Sequence, residues 1–341
     1  MKRYILIIMF LSILAIIVSN FNNKVQKSDN NKSGDYQKIR MVMTTSGTGV
    51  GINTLTAKKI AELMKKETGG NVIIEVYDND QLSDGNSAKG VNMLSNGSVD
   101  IAVYTSGTFS LIDDKMSVAT LPWTFNNYEE AREVIDKTGG AYYEKILSEK
   151  GLLYLGSIHN GFRQVSNNKN PIHKPEDLQG MRIRILNNEV YELFFESFNA
   201  VPIIMGRNEM EMALRQKYID GHDIGIFQSL RANSNRTEKY ITIWNYSYEN
   251  YIFVMNTKTY NQLEPKTQEL LRKKVKEACE WSRDLLEKNE QDIKRKFIHN
   301  GVIITELSTE ELEPFKQNVR PLVEKLKEKY GKEACLAFGI E

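Results

Sequence analysis

From residue 39 onward the apolar positions of the chain switch between two periods. RMVMT (40–44) alternates with period two and predicts a strand. Residues 53–68 carry Leu55, Ile60, Leu63 and Met64 at helical spacing, and Gly69-Gly70 ends that helix. NVIIEVY (71–77) predicts the next strand, residues 86–96 a helix stopped by Gly97, and DIAVYT (100–105) a third strand. A helix over 128–150 and a strand over GLLYLGSI (151–158) follow. Strand–helix alternation of this kind predicts an α/β fold with a parallel sheet covered by helices on both faces.

A second unit repeats the grammar. FRQVSN (162–167) and GMRIRIL (180–186) predict strands, then come a helix over 189–198, the strand VPIIM (201–205) and a helix over 208–218. YITIW (240–244) and NYIFVMN (250–256) predict two more strands. No low-complexity tract separates the units, so strands themselves are the expected hinges. Pro265 opens an amphipathic pattern that runs to Asn300, with Leu271, Val275, Ala278, Leu285, Ile293 and Phe297 on its apolar stripe. Such a helix is on the order of 50 Å long, against about 30 Å for a small domain, and is expected to span both. VIITEL (302–307) predicts the final strand, and 309–329 a final helix interrupted near Pro314 and Pro321.

The first residues do not fit this scheme. Lys2 and Arg3 precede an apolar run from Tyr4 to Val18, the order of a secretory signal. The run is short for a span, which needs roughly 18 or more residues. No clean small-x-small cleavage pair follows it. Residues 1–19 are therefore expected to be a signal peptide or an N-terminal anchor, and 20–37, rich in Asn, Lys, Ser and Asp, a flexible tether. The expected location is extracytoplasmic, with membrane attachment if the segment is retained.

Composition narrows the function. The chain has 341 residues, enough for two domains. Lys+Arg 45 against Asp+Glu 44 leaves a net charge of +1, which lacks the basic footprint of a nucleic-acid binder. Cysteines occur only at 279 and 335, and both a bridge and two separate thiols are compatible with that. His159, His173, His222 and His299 form no close-spaced metal pair, and there is no GxSxG elbow. GTGVG (47–51) lacks both the dinucleotide spacing and a P-loop lysine. No cofactor, metal or catalytic set is expected.

The arginines carry more. Arg184 sits between Ile183 and Ile185 in a predicted strand with no local acid. Its guanidinium keeps its charge, and its planar fork matches a carboxylate. Either it lies on a solvated strand face or its partner is distant in sequence or a ligand. Arg163 begins the preceding strand, and Arg207 follows VPIIM at a C-terminal strand end, where open α/β sheets bind ligands. Arg207 can equally be a solvated loop charge. Thr44, Thr45, Ser46, Tyr104, Thr105 and Ser106 make hydroxyl-rich loops after the first-unit strands, facing a cleft or merely turning the chain.

TGGNVIIEVYDNDQL (68–82), NGSVDIAV (96–103), LPWTF (121–125), NGFRQVSN (160–167), PEDLQGMRIRI (175–185), NAVPIIM (199–205), MALRQKYIDG (212–221) and GVIITELS (301–308) resemble, in order and spacing, segments of the extracytoplasmic solute receptors of tripartite ATP-independent periplasmic (TRAP) transporters. The resemblance covers about residues 38–330. It implies a two-domain periplasmic-binding-protein-like fold with a long helix spanning both domains. Divided on that pattern, domain I comprises 38–160 and 250–288, and domain II 161–249 and 289–341. It also implies that Arg184 holds a ligand carboxylate, that Arg163 assists, that Arg207 lies among variable site residues, and that Tyr104 and Thr105 face ligand. After Asp220-Gly221 the family usually shows Gln-Glu-Asn-Pro, whereas this chain has His222, Asp223, Ile224 and Gly225. Asp223 keeps an acid there, able to neutralise Arg207 or to meet a ligand amine. The expected function is capture of a small organic acid by domain closure and delivery to the membrane subunits of a TRAP transporter. A ligand-sensing domain of the same fold, or an exported α/β enzyme, are the alternatives.

Overall fold

The computed structural model describes residues 36–227 and 239–341, and the side chains of Arg207 and Asn208 lie outside what it describes. The expected signal segment and almost all of the tether fall outside the described residues. The chain opens with β1 (Ile39–Thr45), α1 (Ile52–Glu67), β2 (Val72–Tyr77), α2 (Ser87–Asn96) and β3 (Ile101–Thr105). β1 lies between β2 and β3, parallel to both. The Asn86 side chain accepts the Lys89 N–H to start α2, and Gly97 in the left-handed region (φ 82°) ends it. α3 (Tyr128–Val134) passes through a π-helical turn (Ile135–Gly139) into α4 (Gly140–Ser148).

β4 (Leu152–Asn167) is one 16-residue strand where the pattern predicts two. Gly161 breaks the apolar alternation, but with φ +111° it forms a bulge instead of an end. The second half continues with β5 (Arg182–Ile185), α5 (Glu189–Glu196), β6 (Val201–Ile204), α6 (Arg207–Arg215) and β7 (Gly221–Gly225), then β8 (Tyr240–Ile243) and β9 (Tyr248–Asn256). β7 is a buried strand that its sequence, GHDIG, does not announce. Gly221 is required there, because a Cβ would sit 2.2 Å from the Ser166 carbonyl oxygen.

The strand order is β2-β1-β3-β9-β4-β7-β5-β6. β4 joins the two halves: Leu152–Phe162 pairs with antiparallel β9, while Arg163–Asn167 pairs with β7, and Val165–Asn167 also with β8. α7 (Thr257–Asn261) leads into α8 (Pro265–His299), a 35-residue helix of about 50 Å. Leu271, Val275, Ala278 and Leu286 of α8 share a core with Met41, Ile60 and Phe253; the same core takes in Ile293 and Phe297 with Ile241 and Ile243 of β8. One helix thus packs on both halves. Arg283 fastens it to β4 through the Ser157 carbonyl, and Glu287 through His159.

β10 (Ile303–Glu306) pairs in parallel with β8. α9 (Thr309–Tyr330) starts on a capping box between Ser308 and Glu311 and runs unbroken through Pro314 and Pro321. Each proline forfeits a ladder hydrogen bond, which costs about 3 kcal/mol in a helix interior. Burial of Phe315, Val319, Leu326 and Tyr330 offsets that cost. α10 (Lys332–Ala337) then brings Phe338 against Tyr142 and Tyr143, and Thr138 donates to the Ala337 carbonyl at 2.6 Å. Cys279 and Cys335 are separate, buried thiols.

Candidate functional site

The parallel strands of both halves end at one place. Ser46 follows β1, Asn79 and Asp80 follow β2, and Thr105 closes β3; Leu186 follows β5 and Gly206 follows β6. Together with Ser87, Thr108, Asn160, Arg163, Arg184, Ile224 and Tyr251 they line a cavity of about 90 Å³. This is the position that open α/β sheets give to ligands.

Arg184 projects from β5 into that cavity and is 2% exposed. The strand places Ile183 and Ile185 on the opposite face, where both are fully buried. Nε of Arg184 donates to the Met205 carbonyl at 3.0 Å, which orients the guanidinium. A buried guanidinium of fixed orientation at strand ends is suited to a carboxylate.

Arg163 also lines the cavity, in a different state. Its Nε donates to Oδ2 of Asp223 at 2.7 Å, one terminal nitrogen to Oε2 of Glu249 at 2.5 Å, and the other to the Asp223 carbonyl at 2.8 Å. The Tyr191 ring lies beneath the guanidinium, 4.6 Å from its centroid. Burial by itself works against the Arg163 charge, and Asp223 with Glu249 more than offsets it, so its pKa moves well up. Burial, with Glu249 close by, holds the Asp223 carboxyl above the usual range. Glu249 further accepts from Asn160 at 2.5 Å and from Tyr191 at 3.1 Å. Asp223 thus meets Arg163.

The other expected residues divide. Thr105 lines the cavity, its hydroxyl 2.9 Å from that of Thr108. Thr45 is buried one residue behind Ser46, and its hydroxyl accepts from Gly47 N–H at 3.0 Å and from Asn53 at 2.8 Å, knitting the turn into α1. Tyr104 is buried beneath α2, where Gly90 leaves room for its hydroxyl, and donates to Asp80 at 2.8 Å. The backbone of Arg207 opens α6, and its side chain is outside the described part.

Asp80 was not singled out by sequence reasoning, nor was Glu249. Asp80 lies in the YDND run just past β2, a strand end of the kind that drew attention to Arg207. It is 5% exposed, and its oxygens accept from Tyr104 and, at 2.7 Å, from Ser87. Burial raises its pKa against these hydrogen bonds. Glu249 sits one residue ahead of an obvious apolar strand and gave no local signal.

Known proteins share the sequence pattern and the fold. An uncharacterised protein of Haemophilus influenzae is 32% identical over 279 residues, covering 81% of this chain and 83% of that one. The C4-dicarboxylate-binding protein DctB of Bacillus subtilis is 25% identical, covering 82% and 79%. The crystal structure of the sugar acid binding protein DctPAm of Advenella mimigardefordensis in complex with galactonate superposes with a TM-score of 0.84 at 25% identity, covering 89% and 97%. It shares the two-domain periplasmic-binding-protein fold. The profile of the bacterial extracellular solute-binding proteins, family 7, matches residues 51–329, and the chain belongs to that family.

Proposed function

We propose that the protein captures a small organic acid outside the cytoplasm and delivers it to the membrane subunits of a TRAP transporter, without transforming it. The observation that carries this reading is Arg184, buried at the wall of a cavity where strand ends of both halves meet. The names of relatives support the ligand class: DctB of Bacillus subtilis binds C4-dicarboxylates, and the Advenella protein binds a sugar acid.

Domain closure is part of the proposal. Residues 38–160 with 250–288 form one lobe, and 161–249 with 289–341 the other; the pairing change of β4 at Phe162–Arg163 supports that boundary. α10, at the end of the second lobe, reaches back to the first through the π-helical turn and α4. Closing the lobes excludes water from Arg184 and the ligand carboxylate and strengthens their pairing. The test is calorimetry with a panel of organic acids on wild type and Arg184→Ala. Wild type is expected to bind at least one acid, and the variant to lose about 3–5 kcal/mol of that affinity. Arg184→Lys is expected to bind weakly as well, since a point charge does not replace the fork. Unchanged affinity in Arg184→Ala would remove the residue from the site.

A further inference from the structure

We propose that Asp80 is a specificity-determining residue that selects hydroxylated monocarboxylates, the sugar-acid class, over dicarboxylates. The inference rests on the reading that Arg184 holds one ligand carboxylate. It concerns what the rest of the cavity then accepts.

Asp80 has a fixed orientation in the wall. Its backbone is in the left-handed region (φ 54°), its N–H donates to the Thr45 carbonyl at 3.1 Å, and its side chain is held by Tyr104 and Ser87. Tyr104 and Ser87 each take one carboxylate oxygen, Ser83 is a third partner, and the group keeps capacity for a further donor. That capacity calls for a donor. A ligand hydroxyl supplies one; a second ligand carboxylate supplies none and adds like-charge repulsion in a water-poor space.

The rest of the wall points the same way. Arg163, the second cation in the described lining, is answered within the chain by Asp223 and Glu249. A distal ligand carboxylate would have to compete with two buried acids for it. Asn79, Ser87, Thr108 and Asn160 instead offer neutral donors and acceptors. A polyhydroxy chain can satisfy such groups one by one, whereas an aliphatic chain would desolvate them without return.

Two size-matched pairs test the idea by calorimetry: D-erythronate against succinate, and D-galactonate against galactarate. In the second pair the ligands differ only in the far terminus, a hydroxymethyl group or a carboxylate. Wild type is expected to bind the tighter of the two monoacids at least tenfold better than its paired diacid. Asp80→Asn is expected to narrow that ratio at least fivefold, chiefly by weakening the monoacid. A diacid that binds wild type as tightly as its paired monoacid, or tighter, overturns the proposal, and this comparison stands even if Asp80→Asn does not fold. Equal weakening of mono- and diacids in a folded Asp80→Asn also overturns it. If wild type binds none of these acids nor any other carboxylate in the wider panel, the capture function fails, and this inference fails with it.

Discussion

Arg163 and Arg184 are one residue type in one cavity wall, and they are given different tasks. Arg163 is enclosed by Asp223, Glu249 and Tyr191, all supplied by the chain. Nε of Arg184 donates to the Met205 backbone carbonyl at 3.0 Å. Removing one partner from a buried ionic cluster leaves uncompensated charge and costs about 3–5 kcal/mol. Arg163→Ala is therefore expected to lower the urea midpoint strongly, while Arg184→Ala takes the larger loss of ligand. If Arg163→Ala unfolds at the wild-type denaturant concentration, or loses more ligand affinity than Arg184→Ala, the division of labour is wrong. The resemblance pairs these arginines as ligand contacts, and neither local sequence separates them. Both sit in strands, and the acids that enclose Arg163 come from 60 and 86 residues away.

At the scale of elements, the second half depends on clamps between strands. Asp220, just ahead of β7, accepts from the Arg182 backbone N–H at 2.8 Å, from the Arg182 guanidinium at 2.8 and 3.1 Å, and pairs with Lys169 at 3.1 Å. It thus ties the end of β4 to β5 and β7. Burial by itself would raise the Asp220 pKa, but the hydrogen bonds from Arg182 and Lys169 bring it down to about 2. A carboxylate with a depressed folded pKa contributes stability that is fully present above its unfolded value, near 4, and lost as pH falls through about 2. Arg182 is partly exposed, so solvent screening reduces the contribution to on the order of 1–2 kcal/mol. Chemical denaturation of wild type and Asp220→Asn at pH 6 and at pH 2.5 is expected to show a difference at pH 6 that shrinks at pH 2.5. An equal difference at both pH values would mean that the carboxylate charge is not what holds the clamp.

At the scale of the molecule, three kinds of element cross between the halves. β4 does so as a single strand with a bulge at Gly161, α8 packs on both cores, and α9–α10 begin beside β10 and end against α4. His159 pins the first crossing, 2.7 Å from the Tyr248 hydroxyl and 3.0 Å from Glu287 of α8. Continuous elements of this kind bend without coming apart, which is the mechanical requirement of a hinge. Small-angle scattering is expected to show a smaller radius of gyration at saturating ligand than without it. Identical profiles in both states would argue against closure as the binding motion.

The amino-acid sequence alone determined whatever depends on local period and local chemistry. Alternation and helical spacing mark the strands and helices of the α/β fold, Pro265 marks the start of the long helix, and an arginine between two isoleucines marks Arg184 as a residue in need of a partner. Tertiary structure decided whatever depends on neighbours remote in the chain. Strand pairing on both sides turns GHDIG into a buried strand with little apolar content of its own. Pairing also carries β4 through a glycine that reads as a break. The parallel strand ends bring Asp80 to the same cavity as Arg184, although Asp80 looks like an ordinary charge in its own segment. The reason is physical. A hydrogen-bonding period is a property of a few consecutive residues, but the meaning of a buried charge is set by what surrounds it, and the fold alone supplies those surroundings.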